Sequence, residues 1–143
     1  MTAAHALLLL DAQRYRHEQL EQQNPHAADF QRAAWRNALL KARQRGVLVV
    51  FLQRDGEPGD DHEPLTRGWT LHPDFRVEES DVLLRVQGND AFRESPLRLE
   101  LRSRGIGQLS LLALPGSPAV SATRQGAQHA GFVVTTWRPE ETI

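Results

Sequence analysis

The sequence has 143 residues, 40% hydrophobic and 24% charged, a composition typical of one folded globular domain and not of a disordered chain. Its formal net charge of −1 excludes a strongly basic surface that would recruit nucleic acid or anionic membranes. The longest apolar run, Ala6 to Leu10, is too short to span a bilayer and lacks the flanks of a signal peptide, so we expect a single cytoplasmic domain over residues 1–143.

The sequence contains no cysteine. This absence excludes disulfides, thiolate metal sites and thiol nucleophiles formed by these residues. It limits the chemistry that any site on this chain can use.

The first half of the chain predicts strand, helix and strand. Ala6 to Leu10 is an unbroken apolar run, typical of a strand buried on both faces. Asp29 to Arg45 carries a helical apolar stripe, with Asp29 as a candidate N-cap and Gly46 where the helix stops. Val47 to Leu52 is rich in β-branched residues, so a right-handed crossover and a parallel strand pair are expected.

The second half continues this alternation after a long loop. Residues 54–81 are rich in Gly, Pro, Asp and Glu without a sustained period, and loops of this length usually carry a site or a contact surface. The later elements are predicted as strands over 82–86, 108–114 and 132–136 and helices over 96–104 and 117–130. The fold class is therefore α/β, a doubly wound and mostly parallel sheet in a Rossmann-like three-layer sandwich.

Sites in doubly wound sheets form beyond the carboxyl ends of the strands. Three such ends stand out: Asp11, the pair Arg85 and Val86, and the stretch from Leu114 to Ala119. We therefore place the candidate site where these three ends meet.

Several segments, in order and spacing, resemble the isochorismatase-like cysteine hydrolases. They are Leu7 to Gln13, with its Asp-x-Gln ending, Gly68 to Pro73, Asp81 to Phe92, and Thr123 to Phe132. The resemblance implies the doubly wound fold, and it implies an Asp, a Lys and a Cys at the three strand ends.

The resemblance places only one of these three catalytic residues in this chain. Asp11 matches the Asp, whereas Val86 falls at the Lys position and Ala119 at the Cys position. Arg85 is the nearest cation, but its side chain should point to the opposite face of the strand. Pro115 falls where the family uses a backbone N–H in its oxyanion hole, and proline has none to donate.

These departures predict a catalytically degenerate member, a non-catalytic binding or scaffolding subunit. The alternative is a hydrolase or lyase acting on a small amide, imide or vinyl ether by a mechanism without cysteine, using Asp11 and a serine or water. Asp11 is then either a general base or a strand-end carboxylate bonded to backbone, and the second interpretation is favoured. Ser117 is expected to cap a helix, and Ser121 to point elsewhere, so neither is favoured as a nucleophile.

A pocket at this site is predicted to include three further residues: Gln13, Trp69 and Phe92. No cofactor is expected. The loop residues that could bind a metal do not follow a recognised spacing, so no metal site is predicted; they are Asp60, Asp61, His62 and His72.

The chain stops soon after its last predicted strand, which we interpret as a C-terminally shortened fold. With Trp137 at that edge, the shortening predicts a homo-oligomer or a partner protein, besides a possible small-molecule ligand. Alignment with the resembling family also predicts a cis peptide bond between Leu114 and Pro115.

Overall fold

A computed structural model describes residues 4–137 and contains one five-stranded sheet. Its strands are β1 (Ala4–Leu9), β2 (Leu48–Arg54), β3 (Val82–Val86), β4 (Ile106–Leu112) and β5 (Val133–Thr136). They lie in the order β3-β2-β1-β4-β5, and all neighbouring pairs are parallel. The predicted parallel α/β sheet is confirmed.

Four helices cover the sheet on both faces. They are α1 (Arg14–Gln23), α2 (Pro25–Gln44), α3 (Leu97–Ser103) and α4 (Ala119–His129). Trp35 and Leu39 of α2 pack with Leu7 and Leu9 on one face, while α3 and α4 join the cluster that contains Leu8 on the other. The alternation along β1 thus buries both faces, as expected of a doubly wound fold. Within residues 4–137, no helix is long and apolar enough to cross a membrane.

The first two helices differ from the prediction. Helix α1 was not predicted, because its sequence is mostly polar and it buries only His17. Helix α2 begins at Pro25, so the assignment of Asp29 as its N-cap is wrong. The side chain of Asn24 accepts a hydrogen bond from the Ala27 N–H at 3.1 Å, and proline occupies the first helical position, where its missing N–H costs nothing.

The long loop between β2 and β3 docks along the start of α1. The Arg14 N–H donates to the Thr70 carbonyl at 2.8 Å, and the Tyr15 N–H donates to the Gly68 carbonyl at 3.1 Å. The rings of Tyr15 and His62 stack with centroids 4.1 Å apart. The loop therefore forms a wall beside the carboxyl end of β1.

Candidate active site

Asp11 lies directly beyond β1 and is almost fully buried, with 1% of its surface exposed. Its Oδ2 atom accepts a hydrogen bond from the Leu114 N–H at 3.0 Å, which ties the end of β1 to the segment after β4. The interpretation of Asp11 as a strand-end carboxylate bonded to backbone is therefore correct for this oxygen. The other oxygen, Oδ1, makes no hydrogen bond with any described residue.

Arg16 provides a cation beside that second oxygen. Its Nε atom lies 3.4 Å from Asp11 Oδ1, and the Arg16 side chain is 22% exposed. Neither atom is in hydrogen-bond geometry with a residue of the described range, so both retain hydrogen-bonding capacity. Arg16 was not predicted, because it belongs to α1, a mostly polar helix that the apolar pattern of the sequence does not indicate.

A cleft of about 220 Å³ opens at this ion pair. Arg16, Gln19 and Gln23 of α1 form one wall, and the segment Leu114 to Gly116 forms the other. Asp11 lies behind Arg16 rather than on the wall itself. A ligand in the cleft would therefore meet the guanidinium before the carboxylate.

The segment after β4 forms a tight turn, and its geometry corrects one prediction. The Ser117 N–H donates to the Leu114 carbonyl at 3.1 Å, and Gly116 has φ of 76°. Proline followed by glycine with positive φ is the pattern of a type II turn, which needs a trans proline. All peptide bonds of residues 4–137 are trans, so the predicted cis bond at Leu114–Pro115 is wrong.

The positions that the resemblance assigned to Lys and Cys are both buried. Val86 is 3% exposed at the end of β3, and Ala119 is 1% exposed at the first residue of α4. Pro118 precedes α4 as its N-cap residue, and the Ser117 Oγ accepts from the Ala119 N–H at 3.3 Å. Ser117 thus bonds the start of the helix, but the N-cap residue is Pro118, so the prediction of Ser117 as the N-cap is wrong by one position. Ser121 is exposed.

The predicted pocket residues Gln13 and Trp69 form hydrogen bonds that join the long loop to the end of β2. Gln13 is fully buried, and its Nε2 atom donates to the Arg54 carbonyl at 2.8 Å and to the Trp69 carbonyl at 2.9 Å. Its Oε1 atom accepts from the Arg54 N–H at 2.9 Å. Trp69 is also held through its indole N–H, which donates to Asp55 at 2.8 Å. These bonds fix the loop against β2.

Two other predicted residues lie away from Asp11. The Phe92 ring packs against Phe132, with centroids 5.6 Å apart, on the sheet face covered by α3 and α4. Arg85 pairs with Asp55, N to O 2.8 Å, and its guanidinium lies 5.3 Å from the centre of the Trp69 ring. The expectation that Arg85 points away from Val86 agrees with this geometry.

The acidic and histidine residues of the long loop do not converge. His62 stacks on Tyr15, whereas the His72 Nδ1 atom accepts from the Asp74 N–H at 3.1 Å. Within the described part of the chain, no three His, Asp or Glu side chains are placed to hold a metal ion.

A buried histidine lies close behind the candidate site. His17 packs edge-on against Trp35, with ring centroids 4.8 Å apart, and also contacts Phe75 and His72. Burial, and then the neighbouring His72, lower the pKa of His17 to about 3, while the Asp11 backbone carbonyl opposes the shift more weakly. His17 is therefore neutral near pH 7 and adds no charge beside Asp11 and Arg16.

The whole fold matches a known family. The model of the Isochorismatase domain matches residues 5–135. Streptothricin hydrolase of Streptomyces noursei is 36% identical over 99 residues, which cover 69% of this chain and 39% of that protein. A second streptothricin hydrolase of Streptomyces noursei is 33% identical over 99 residues, covering 36% of its length. The chain therefore spans less than two fifths of the curated relatives it matches.

Solved structures give the same result. An isochorismatase-family hydrolase from Chromobacterium violaceum superposes with a TM-score of 0.75 at 26% identity, covering 94% of this chain and 69% of that one. N-carbamoylsarcosine amidase from Thermoplasma acidophilum superposes with a TM-score of 0.80 at 19% identity, covering 95% and 82%. The second likeness concerns the fold alone.

These relatives overturn the prediction of a non-catalytic binding or scaffolding subunit. The similar proteins are hydrolases by name, which favours the hydrolase alternative over the non-catalytic one. Val86 and Ala119 replace the Lys and the Cys that the resemblance implies, but α1 places another cation, Arg16, beside Asp11.

Proposed function

Because this chain belongs to the isochorismatase family, we propose that it is a hydrolase that cleaves a small amide with water activated at Asp11. A thiolate mechanism is not open to these 143 residues, since none of them is cysteine. The nucleophile of the proposed reaction is therefore water, which the cleft can admit.

One observation carries the proposal. A carboxylate oxygen and a guanidinium nitrogen, Asp11 Oδ1 and Arg16 Nε, are both buried, lie 3.4 Å apart and have no hydrogen-bond partner in the described chain. Buried polar groups are usually satisfied, so an unsatisfied pair beside a cleft indicates that a bound water or ligand completes its hydrogen bonds. Here the two unsatisfied atoms lie beside an open cleft, where a polar ligand can form the missing hydrogen bond to each of them.

The proposed reaction balances with water alone. Asp11 accepts a proton from water as the water oxygen bonds to the amide carbon, and the carbonyl oxygen becomes an oxyanion beside Arg16. The C–N bond then breaks, Asp11 returns the proton to the leaving nitrogen, and the products are a carboxylic acid and an amine. Arg16 stabilises the oxyanion in place of backbone N–H groups, because Pro115 has no N–H and the Ala119 N–H is already bonded to Ser117.

The relatives suggest streptothricin as the first substrate to test, because two curated proteins similar to this chain over 99 residues are streptothricin hydrolases. The cleft of about 220 Å³ admits only a small part of a large substrate. We therefore propose that the scissile group enters the cleft while the remainder lies outside it, over the polar side chains of Gln19 and Gln23.

The experiment measures amine release from streptothricin and from a panel of small primary and cyclic amides by liquid chromatography and mass spectrometry. Arg16→Gln should lower the turnover by about a hundredfold or more, as expected for removal of one oxyanion-stabilising group. Arg67→Gln is the matched control, since it removes an exposed arginine that pairs with Glu18 at 2.9 Å. Equal rates in the wild type and Arg16→Gln, or no turnover of any substrate, would contradict the proposal.

A further inference from the structure

A second cavity lies on the face of the sheet that α2 covers. It has a volume of about 250 Å³ and lies between α2 and strands β1 and β4, with His5, Ser110 and Trp137 among its lining residues. The cavity shares no lining residue with the cleft at Arg16. The cavity is therefore independent of the candidate active site.

Helix α2 shapes this cavity with one stripe of its surface. Ala38, Lys41, Ala42 and Arg45 are spaced three and four residues apart and so share one face of the helix and its end. The two alanines have short side chains, which leave space above the sheet. The two long cationic side chains then form the rim of that space.

The two cations on the rim, Lys41 and Arg45, differ from the neighbouring Arg43 in their ion pairing. Arg43, two residues from each, is fixed by ion pairs with Asp81 and Glu78. Neither Lys41 nor Arg45 forms an ion pair with any residue of the described range 4–137. The C-terminus of a helix favours cations, but two like charges four residues apart repel each other. An anion between them would remove that repulsion.

Three polar side chains form a hydrogen-bonded row on the floor of the cavity. His5 Nε2 and Ser110 Oγ are 2.8 Å apart, and Ser110 Oγ is 3.1 Å from Thr135 Oγ1. Burial lowers the pKa of His5, so this histidine is neutral near pH 7 and the positive charge of the site comes from Lys41 and Arg45. The floor therefore offers hydrogen bonds, and the rim offers charge.

We propose that this cavity binds a small aromatic carboxylate. The carboxylate lies between Lys41 and Arg45, and the ring lies over Ala38 and Ala42 against the side of Trp137. The charge selects an anion, and the two alanines beside an indole select a planar apolar body. This site is separate from the hydrolytic one and does not depend on it.

The test uses the fact that Lys41 is the only lysine in the sequence. Reductive methylation with carbon-13 keeps the positive charge and yields one lysine signal besides that of the α-amino group. Titration of the full chain with benzoate should shift the Lys41 signal in a saturable manner. Benzamide, which has the same shape without the charge, should bind at least tenfold more weakly.

Two variants separate a built site from general attraction of anions. Arg45→Gln should weaken benzoate binding about tenfold, read from the same Lys41 signal, because it removes one of the two charged contacts. Arg104→Gln removes an equivalent charge from the end of α3, on the other face of the sheet, and should leave the affinity unchanged. A Lys41 signal that does not respond to benzoate, that responds equally to benzamide, or that responds equally in both variants would overturn the proposal.

Discussion

His17 should make the protein progressively less stable as the pH falls below about 6.5. Its side chain has no exposed surface, and neither ring nitrogen has a hydrogen-bond partner in the described chain. The folded protein therefore holds His17 neutral, with its pKa lowered to about 3, while the unfolded chain binds a proton near the ordinary value. Because the unfolded state takes up the proton first, acid favours unfolding between these two values.

The magnitude follows from the same two pKa values. At pH 7 the unfolded histidine is mostly neutral, and the effect on the free energy of unfolding is only about 0.2 kcal/mol. At pH 5 the unfolded state is favoured by about 2 kcal/mol from His17 alone. The neighbouring His72 also has its pKa lowered by burial, so it contributes in the same direction.

The assay is urea unfolding of the wild type and His17→Leu at pH 7 and pH 5. Leucine fills a similar volume between Trp35 and Phe75 and removes the two unsatisfied nitrogens, so the variant should be about as stable as the wild type at pH 7. At pH 5 it should be more stable by about 2 kcal/mol. His129→Gln, at an exposed histidine, is the control. If His17→Leu loses as much stability between pH 7 and pH 5 as the wild type, the reasoning is refuted.

Two packing predictions concern the loops around the sheet. Thr123→Val should lower the free energy of unfolding by about 1–3 kcal/mol, since the buried Thr123 hydroxyl accepts from the Ala91 N–H at 3.2 Å and donates to the Asn89 carbonyl at 2.9 Å. A loss below about 0.5 kcal/mol in chemical denaturation would argue against it. Gly68→Ala should destabilise the loop by about 1–3 kcal/mol, because a Cβ there would overlap a backbone carbonyl, whereas Gly107→Ala meets open space. Equal melting temperatures for these two glycine variants would contradict that prediction.

The sheet could be predicted from sequence because its strands are short apolar runs. β1 is buried on both faces, so the run from Ala6 to Leu10 was recognisable without any neighbour. Helix α1 could not be found in this way, because its residues are mainly polar and tertiary contacts hold it, including the bond from the Tyr15 N–H to the loop. The pair Asn24-Pro25 indicates the start of α2, but the apolar stripe alone predicts a later start.

The location of the candidate site could be predicted from the sequence, but the identity of its cation could not. Asp11 lies at a strand end, as doubly wound folds require, and the Leu114 segment meets it there. Arg16 belongs to the unpredicted helix, so no sequence pattern indicated that it would turn back towards Asp11. The wrong prediction of a cis bond at Leu114–Pro115 has a different cause. The pair Pro115-Gly116 is a local signal for a turn with a trans proline, but the prediction followed the resemblance instead.

The value of kcat/KM for Asp11→Asn on whichever amide the wild type hydrolyses fastest tests the account most directly. Asparagine keeps an oxygen for the Leu114 N–H but cannot take a proton from water, so kcat/KM should fall about a hundredfold or more. Asp55→Asn alters another strand-end carboxylate paired with an arginine and should retain turnover. A folded Asp11→Asn protein that hydrolyses the amide within about threefold of the wild-type rate would contradict the account, because loss of a general base costs far more than that.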